Sequence, residues 1–537
     1  MTAAPGAPAS SPPPEPSPPS LSERGVTAIA SAALLGVLAL VLFMAMRSPL
    51  KDDIAWLLYV ARKWLAGREL YVDLVEVNPP LIIWLSALPV TVARWLGVMP
   101  RMAAVPFFAT LILASAWGTA GLLRHQGPLF ANRVAVFAVI AIVMLLIPGP
   151  ELGQREHLLT AAVLPYLAAL ALSLRGQPPA RKTAFFIGIV AGLGCALKPR
   201  YALAFAAVEL LALLRGVRIV RPMTIGAGGI LCAYIGIVVL AYPAYQTRAV
   251  PLAMALYGAT DVSLWELTND SLRMIFGMAV LLLLLYPAFR RQLQGRHLLL
   301  VLATFGFAAA VVCFIDGKNW FYHRLPTTIV TALGLVLWLV AELFRKASPH
   351  DQRSPTKVAP LAILAGIACV VFAVAAADRL KPQFDRAIDP AFSTEARLER
   401  LLVKEKAHTY IAFSEWIALG FPVVDNTGVS WASRFDSMWA LKGELWRAGF
   451  DPQASRTWPV RDWVARDFVA GCPDIAVVDT RGKIDYIAVL SASDPAFAHA
   501  WTLYQQIAAF DGLRIFRRQP SACYISPLDA IQLSVQR

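Results

Sequence analysis

Charge is what this chain has little of. Of 537 residues only 16% are Asp, Glu, Lys or Arg, while 58% are hydrophobic, against about a quarter charged in an ordinary soluble protein. That shortage excludes a water-soluble globular fold. Apolar runs recur along the first 376 residues, and about 20 such residues cross a hydrocarbon core, so the chain reads as a polytopic helical membrane bundle. Cysteine is scarce too. Cys195, Cys232, Cys313 and Cys369 lie inside apolar runs and read as small buried hydrophobes. Cys472 and Cys523 lie in the polar C-terminal region, where an oxidising compartment would let them pair. No metal-ligand motif occurs, and neither a metal nor an organic cofactor is expected.

The net charge of +14 is not a nucleic-acid footprint, because Lys and Arg gather in short loops between apolar runs, a pattern that reports topology. Residues 1–25, "MTAAPGAPASSPPPEPSPPSLSERG", hold almost no aliphatic bulk and are expected to be a disordered cytoplasmic tail. The run 26–46 that follows this long polar lead reads as a retained first helix rather than a cleaved signal.

Further runs fall at 103–123, 134–148, 157–174, 183–197, 200–214, 223–243, 272–289, 297–314, 325–344 and 358–376, which makes eleven expected spans. A twelfth segment, 81–97, carries Pro89 mid-run and Arg94 near its end. If it does not span, the loops holding Arg124 and Arg133, Arg175 to Lys182, Arg215 to Arg221, Arg290 to Arg296 and Arg345 to Lys357 share one side, and their basic residues far outnumber those opposite. The positive-inside rule then makes that side cytoplasmic. It places 47–102 in one large first outer loop, within a membrane domain of residues 26–377. Residues 378–537 alternate helix-like stretches ("TEARLERLLVKEK", "ASRFDSMWALKGELWRAG") with strand-like ones ("HTYIAFS", "DIAVVDT", "LRIFRR") and read as an extracytoplasmic α/β domain.

With sides assigned, the unusual polar residues gather on the outer face. They are Asp52 and Asp53; Glu76 and Asn78 in "EVNPP"; Glu151, Arg155, Glu156 and His157 in "PELGQREH"; Lys198 and Arg200 in "LKPR"; and Lys318, Tyr322, His323 and Arg324 in "DGKNWFYHRLP". Burying ionisable groups without partners costs several kcal/mol, so acids, bases and a histidine recurring at the ends of separate spans imply a shared polar site rather than a set of interfacial anchors. The stretch "IAWLLYVARKWLAG" places Ile54, Leu57, Leu58, Ala61, Trp64 and Leu65 on one helical face, as in an amphipathic helix lying along the membrane.

The order "DD-x-x-W … G-x-x-x-Y-x-D … N-P-P", just after the first span, resembles the GT-C superfamily of membrane glycosyltransferases. The nearest-looking members are the protein O-mannosyltransferases and the lipid A aminoarabinose transferases. The resemblance covers the order of elements across much of residues 26–376. It implies a polyprenyl-phosphate-linked sugar as donor, an envelope glycan, lipid or protein as acceptor, and a bacterial inner-membrane location with the site on the periplasmic side. By position, Asp52 matches the catalytic aspartate, Asp53 its acidic neighbour, and Trp56 the usual tyrosine. "GQREH" stands where relatives open an outer helix with a basic and an acidic residue.

Transfer from a lipid phosphate needs a base for the acceptor hydroxyl and positive charge for the departing phosphate. Asp52 is expected to supply the first. Arg155, Lys198, Arg200, Lys318, His323 and Arg324 are candidates for the second, Arg155 and Lys198 foremost. Asp53 is the second catalytic candidate, either aspartate being able to serve as the base or Asp53 to orient hydroxyls, and Glu76, Asn78, Glu156, His157, Trp56 and Tyr322 are candidates for binding acceptor or sugar. Direct attack predicts inversion at the anomeric carbon. The rival classes are a lipid-linked sugar transporter or flippase and a non-catalytic envelope assembly protein. Transport would call for polar residues near span centres and inverted repeats, and neither occurs.

Overall fold

The computed structural model of the chain describes residues 21–347, 359–449 and 454–519. All eleven apolar runs are helical. Among the described residues eight helices, rather than eleven, are long and apolar enough to cross a membrane; the other three runs form helices of 14, 17 and 13 residues.

The first helix, α1 (Leu21–Arg47), begins inside the stretch expected to be disordered, because Ser22, Glu23 and Arg24 accept helical geometry and Glu23 favours the positive end of the helix dipole. The rest of that tail, residues 1–20, and Cys523 lie outside the described residues. After α1 come α2 (Asp52–Leu65), α3 (Pro80–Leu96), α4 (Pro100–Leu123) and α5 (Arg133–Leu146). Next are α6 (Arg155–Ser173), α7 (Arg181–Leu197), α8 (Ala202–Leu214) and α9 (Pro222–Ala241). Two short helices, α10 (Val250–Leu256) and α11 (Leu264–Asp270), lead into α12 (Leu272–Arg290), α13 (Arg296–Asp316), α14 (Leu325–Ala347) and α15 (Ala359–Ile388). Helix α15 runs past residue 377 without a break.

The bundle is organised around α6, whose residues from Arg155 to Leu172 are buried almost without exception. Helices α1 and α15 keep most of their apolar surface outward, as expected where lipid is the solvent. Helices α7 and α9 approach each other unusually closely. A Cβ on Gly188 would stand 2.0 Å from the Met223 carbonyl oxygen, and one on Gly226 2.3 Å from that of Phe185. Gly188 and Gly192 sit one turn apart on the contact face, the small-residue spacing that lets membrane helices meet backbone to backbone. Gly188→Val must therefore drive the pair apart. We expect a loss of roughly 1–3 kcal/mol, the usual cost of overpacking, read as a lower unfolding midpoint in detergent, whereas Gly228→Val, with open space around its position, leaves the midpoint unchanged.

Helix α2 has no open polar face over its first half. Ile54 to Ala61 are all buried, on both faces, while Leu65 from the expected apolar face is exposed. The C-terminal domain covers the second face: Phe421 packs against the rings of Trp56 and Tyr59, each at 4.9 Å between centroids, and Arg62 pairs with Asp425 at 2.8 Å.

That domain is α/β. It opens with α16 (Thr394–Lys404) and holds a five-stranded sheet of β1 (Thr409–Phe413), β2 (Ser430–Trp431), β3 (Ile475–Asp479), β4 (Tyr504–Phe510) and β5 (Leu513–Arg518), in the order β2-β1-β3-β5-β4. Strand β1 runs parallel to β2 and β3, and β5 antiparallel to β3 and β4. The strands expected at "HTYIAFS", "DIAVVDT" and "LRIFRR" are β1, β3 and β5. The helix expected over "ASRFDSMWALKGELWRAG" is shorter: Trp439–Ala448 is helical, and residues 432–438 are an irregular loop directed at the membrane domain.

Candidate functional site

The two adjacent aspartates open α2, immediately after Lys51, and their first-turn position favours negative charge through the helix dipole. They face different partners. Asp52 Oδ1 lies 2.9 Å from Lys51 Nζ and accepts the Asp53 backbone N–H at 2.9 Å. Asp53 Oδ2 accepts a hydrogen bond from Gln154 Nε2 at 3.1 Å. Burial and the neighbouring Asp52 charge push the Asp53 carboxyl above the usual carboxylate range, against the pull of Arg155 and Lys51. Asp53 is thus the aspartate turned toward the N-terminus of α6.

Arg155 opens α6 and is 5% exposed. Among the described residues no carboxylate forms an ion pair with it, and its Nε is buried without a hydrogen-bond partner. Its guanidinium lies 5.9 Å from the Tyr322 ring centroid, near enough to Asp53 and Glu76 to draw both carboxyls down. A buried cation without a dedicated anion is costly. Its Nε has bonding capacity to spare, as have Gln154 Oε1 and Glu151 Oε2 beside it.

The other candidates sort by their partners. Glu76 is an anchor: its carboxylate accepts from Trp56 Nε1 at 2.5 Å, from the Asn78 backbone N–H at 2.6 Å and from Asn78 Nδ2 at 2.5 Å. Trp56 is 3% exposed, clamped by Tyr59 and Phe421, and offers no open ring face. Lys198 lies 2.8 Å from Glu156 Oε1, which also lies 3.7 Å from His323 Nε2. His323 Nδ1 is 3.1 Å from Asp316, and Asp316 pairs with the exposed Arg200. These five groups form a chain running away from Asp53. His157 is fully buried behind the cluster, its Nδ1 accepting the Gly153 N–H at 3.3 Å. Lys318 is taken up by Asp261 and the Tyr257 carbonyl. Arg324 points elsewhere, donating to the Asp270 carbonyl at 2.7 Å. Of six candidate phosphate-binding cations, the structure brings Arg155 alone to the Asp53 carboxyl without an anion of its own among the described residues.

Several members were not legible in sequence. Asp436 comes from the C-terminal loop. The Val75 N–H donates to the Arg434 carbonyl at 2.8 Å, and the Trp439 ring meets Tyr257 at 4.8 Å. Between those two anchors Asp436 accepts from Trp439 Nε1 at 2.9 Å, and burial with Glu76 and Asp53 nearby holds its carboxyl well above the ordinary range. No spacing rule joins residue 436 to residue 53. Lys51 and Gln154 are different, since each adjoins a residue already singled out.

Glu151 closes the rear of the cluster, 3.8 Å from Lys51 and 3.5 Å from Arg379. Burial pushes its carboxyl up to about 7, Asp53 and Asp52 adding to the rise and Lys51 and Arg379 opposing it. A raised carboxyl means that the folded state holds a proton which the unfolded chain has released, so stability falls as pH climbs from about 4.5 to about 7. We expect this contribution to be of order 3 kcal/mol and to vanish in Glu151→Gln, measured as the pH dependence of the unfolding midpoint in parent and variant.

One helical turn below Arg155, an apolar groove of about 670 Å³ begins at Leu158, Leu197 and Leu81 and continues between α4, α6 and α7. Among the described residues no group of three or more His, Cys, Asp or Glu is placed to hold a metal ion. No family model and no curated protein matches the sequence.

Proposed function

We propose that this chain is a GT-C-type membrane glycosyltransferase that moves a sugar from a polyprenyl-phosphate donor to an envelope glycan, lipid or protein. In this reading the eleven apolar helices form the membrane domain in a bacterial inner membrane, with the Asp52–Asp53 end and the C-terminal domain on the periplasmic side. The observation that carries it is Arg155: a buried guanidinium with no ion-paired carboxylate among the described residues, beside a carboxyl of raised affinity for protons and one turn above an apolar groove. A phosphate ester of a long-chain lipid complements all three features, with charge for the guanidinium and hydrocarbon for the groove.

The reaction would run as one displacement. The acceptor hydroxyl gives its proton to a carboxylate, its oxygen bonds to the anomeric carbon, and the carbon–oxygen bond to phosphate breaks with the electron pair leaving on phosphate. The arrangement favours Asp53 over Asp52 as the base, because Asp52 is held by Lys51 while Asp53 lies near Arg155 and burial pushes its carboxyl above the usual carboxylate range, which suits a group that takes up a proton. Arg155 would carry the growing phosphate charge. Lys198, kept by Glu156, is a reserve cation close to the groove. Asp436, presented by the C-terminal domain, is placed to meet acceptor or sugar hydroxyls.

The test is transfer of labelled sugar from prenyl-phosphate donors to an envelope extract by the purified protein. Labelled product with inverted configuration supports the reading. Persistence of transfer after chelation of divalent ions is expected, because a monophosphate leaving group needs only the cation already present; loss on chelation and recovery on adding metal back would overturn that part. The Lys198–Glu156–His323–Asp316 chain favours one alternative, proton-coupled lipid movement, and movement of donor across vesicles without transfer would establish it instead.

A further inference from the structure

The turn that follows α10 carries Tyr257 to the acidic cluster, and the C-terminal domain holds it there. The Tyr257 ring meets Trp439 at 4.8 Å and Trp320 at 5.8 Å between centroids. Lys318 Nζ lies 5.0 Å from the ring centroid and donates to the Tyr257 carbonyl. Position 443, in the helix Trp439–Ala448, is glycine, and a Cβ there would stand 2.5 Å from the Leu256 carbonyl oxygen. The domain is thus seated directly on the residue before Tyr257. The ring is fixed on several sides, yet among the described residues nothing hydrogen-bonds its hydroxyl.

Tyr322 repeats the pattern. It is 5% exposed and stacks on Trp320 at 5.8 Å, and among the described residues its hydroxyl is also without a hydrogen-bond partner. The two phenols lie near enough to Asp53, to Arg155 and to each other to interact through space. One indole joins Asp436 to the pair. Trp439 packs on Tyr257 and donates to Asp436 Oδ1 at 2.9 Å, and the Ser437 hydroxyl donates to the same oxygen at 3.4 Å. No side chain among the described residues holds Asp436 Oδ2. Burial, with Asp53 and Asp436 nearby, holds the Tyr257 hydroxyl well above its ordinary range, so at neutral pH it is a phenol that can both donate and accept.

A buried polar group left unmatched costs about 1–3 kcal/mol. Here two phenols and a carboxylate oxygen converge on Asp53 without satisfying one another. A sugar ring matches such a set, because each of its hydroxyls donates and accepts and the ring spaces them rigidly. A serine or threonine side chain brings one hydroxyl, which the base would take. Asp436 is supplied by the C-terminal domain, the side from which a water-borne acceptor arrives, whereas a lipid-borne donor comes through the groove below Arg155.

We propose that Tyr257 and Asp436 bind hydroxyls of a sugar ring in the acceptor, so that the acceptor is a saccharide rather than a protein side chain. The inference rests on the transferase reading and makes the C-terminal domain part of the substrate site, since it contributes Asp436 and fixes Tyr257.

The experiment uses the full chain in detergent, with oligosaccharides released from the envelope by mild acid and a serine- and threonine-rich peptide as rival acceptor. Saturation-transfer NMR reads binding without any reaction, and labelled-sugar transfer gives separate KM values for acceptor and donor. We expect the parent to bind and glycosylate the oligosaccharide. Tyr257→Phe, which removes one hydrogen bond, should weaken the NMR signals and raise the acceptor KM about fivefold with the donor KM unchanged. Asp436→Asn should act in the same direction. Tyr257→Phe deletes only an oxygen that no described residue bonds, so it carries the test alone if circular dichroism shows Asp436→Asn unfolded. Oligosaccharide signals that weaken in Tyr257→Phe without any transfer would keep the subsite and remove the transferase reading. Transfer to the peptide instead, a rise in donor KM alone, absence of oligosaccharide binding by the parent, or equal binding by parent and Tyr257→Phe would overturn the proposal.

Discussion

On the proposed transferase reading, Asp53→Asn is expected to abolish sugar transfer and Asp52→Asn to weaken it less. Removing a general base typically costs about 10²–10⁴ in rate, and the full loss is expected at Asp53 because its carboxyl faces Arg155 and Gln154. Asp52 is occupied by Lys51 at 2.9 Å, so its removal acts through the orientation of the helix end and the charge on its neighbour. The amide keeps the shape of the carboxyl, and its carbonyl oxygen still accepts from Gln154, so the Asp53→Asn variant should fold and insert as the parent does. The measurement is transfer at saturating donor and acceptor for parent and both variants, with inserted protein quantified in each. Equal loss in the two variants would mean that the pair acts as one proton-sharing unit. Full activity in Asp53→Asn would remove the base from the proposal altogether.

Arg155→Met is expected to affect activity far more than stability. Loss of one oriented donor at a developing charge costs about 10²–10³ in turnover. Yet the guanidinium, 5% exposed, forms no ion pair with a carboxylate among the described residues, and Asp53 and Glu76 balance it only through space. Its removal breaks no direct pair, so the unfolding midpoint should move far less than on loss of a buried pair while transfer collapses. Lys198→Met is the contrast. It strips Glu156, fully buried, of its partner at 2.8 Å, and removal of one member of a buried pair costs about 3–5 kcal/mol. An arginine that served only to hold the fold would lower the midpoint as Lys198→Met does. The two midpoints, measured side by side, separate a functional cation from a structural one.

The sequence alone determined the class of environment and most of the helices. Scarcity of charge and repeated apolar runs leave no other solvent than lipid, and every run is helical because a backbone in hydrocarbon must satisfy its own hydrogen bonds. It also brought Asp52, Asp53, Arg155 and Lys198 into view, since ionisable residues beside apolar runs stand out against their neighbours. What it could not assign was partnership. Lys198, Lys318 and Arg324 read like Arg155 along the chain, and only the packing of α6, α13 and the loops shows that Glu156, Asp261 and Asp270 occupy the first three while Arg155 is left open. The fate of α2 was likewise decided in three dimensions. An amphipathic pattern states which face prefers burial. It is silent on whether a domain hundreds of residues later will cover the other face, as Phe421 and Asp425 do. Asp436 joins the cluster for the same reason. Contacts between distant segments depend on the shapes of two finished surfaces, and no local periodicity encodes them.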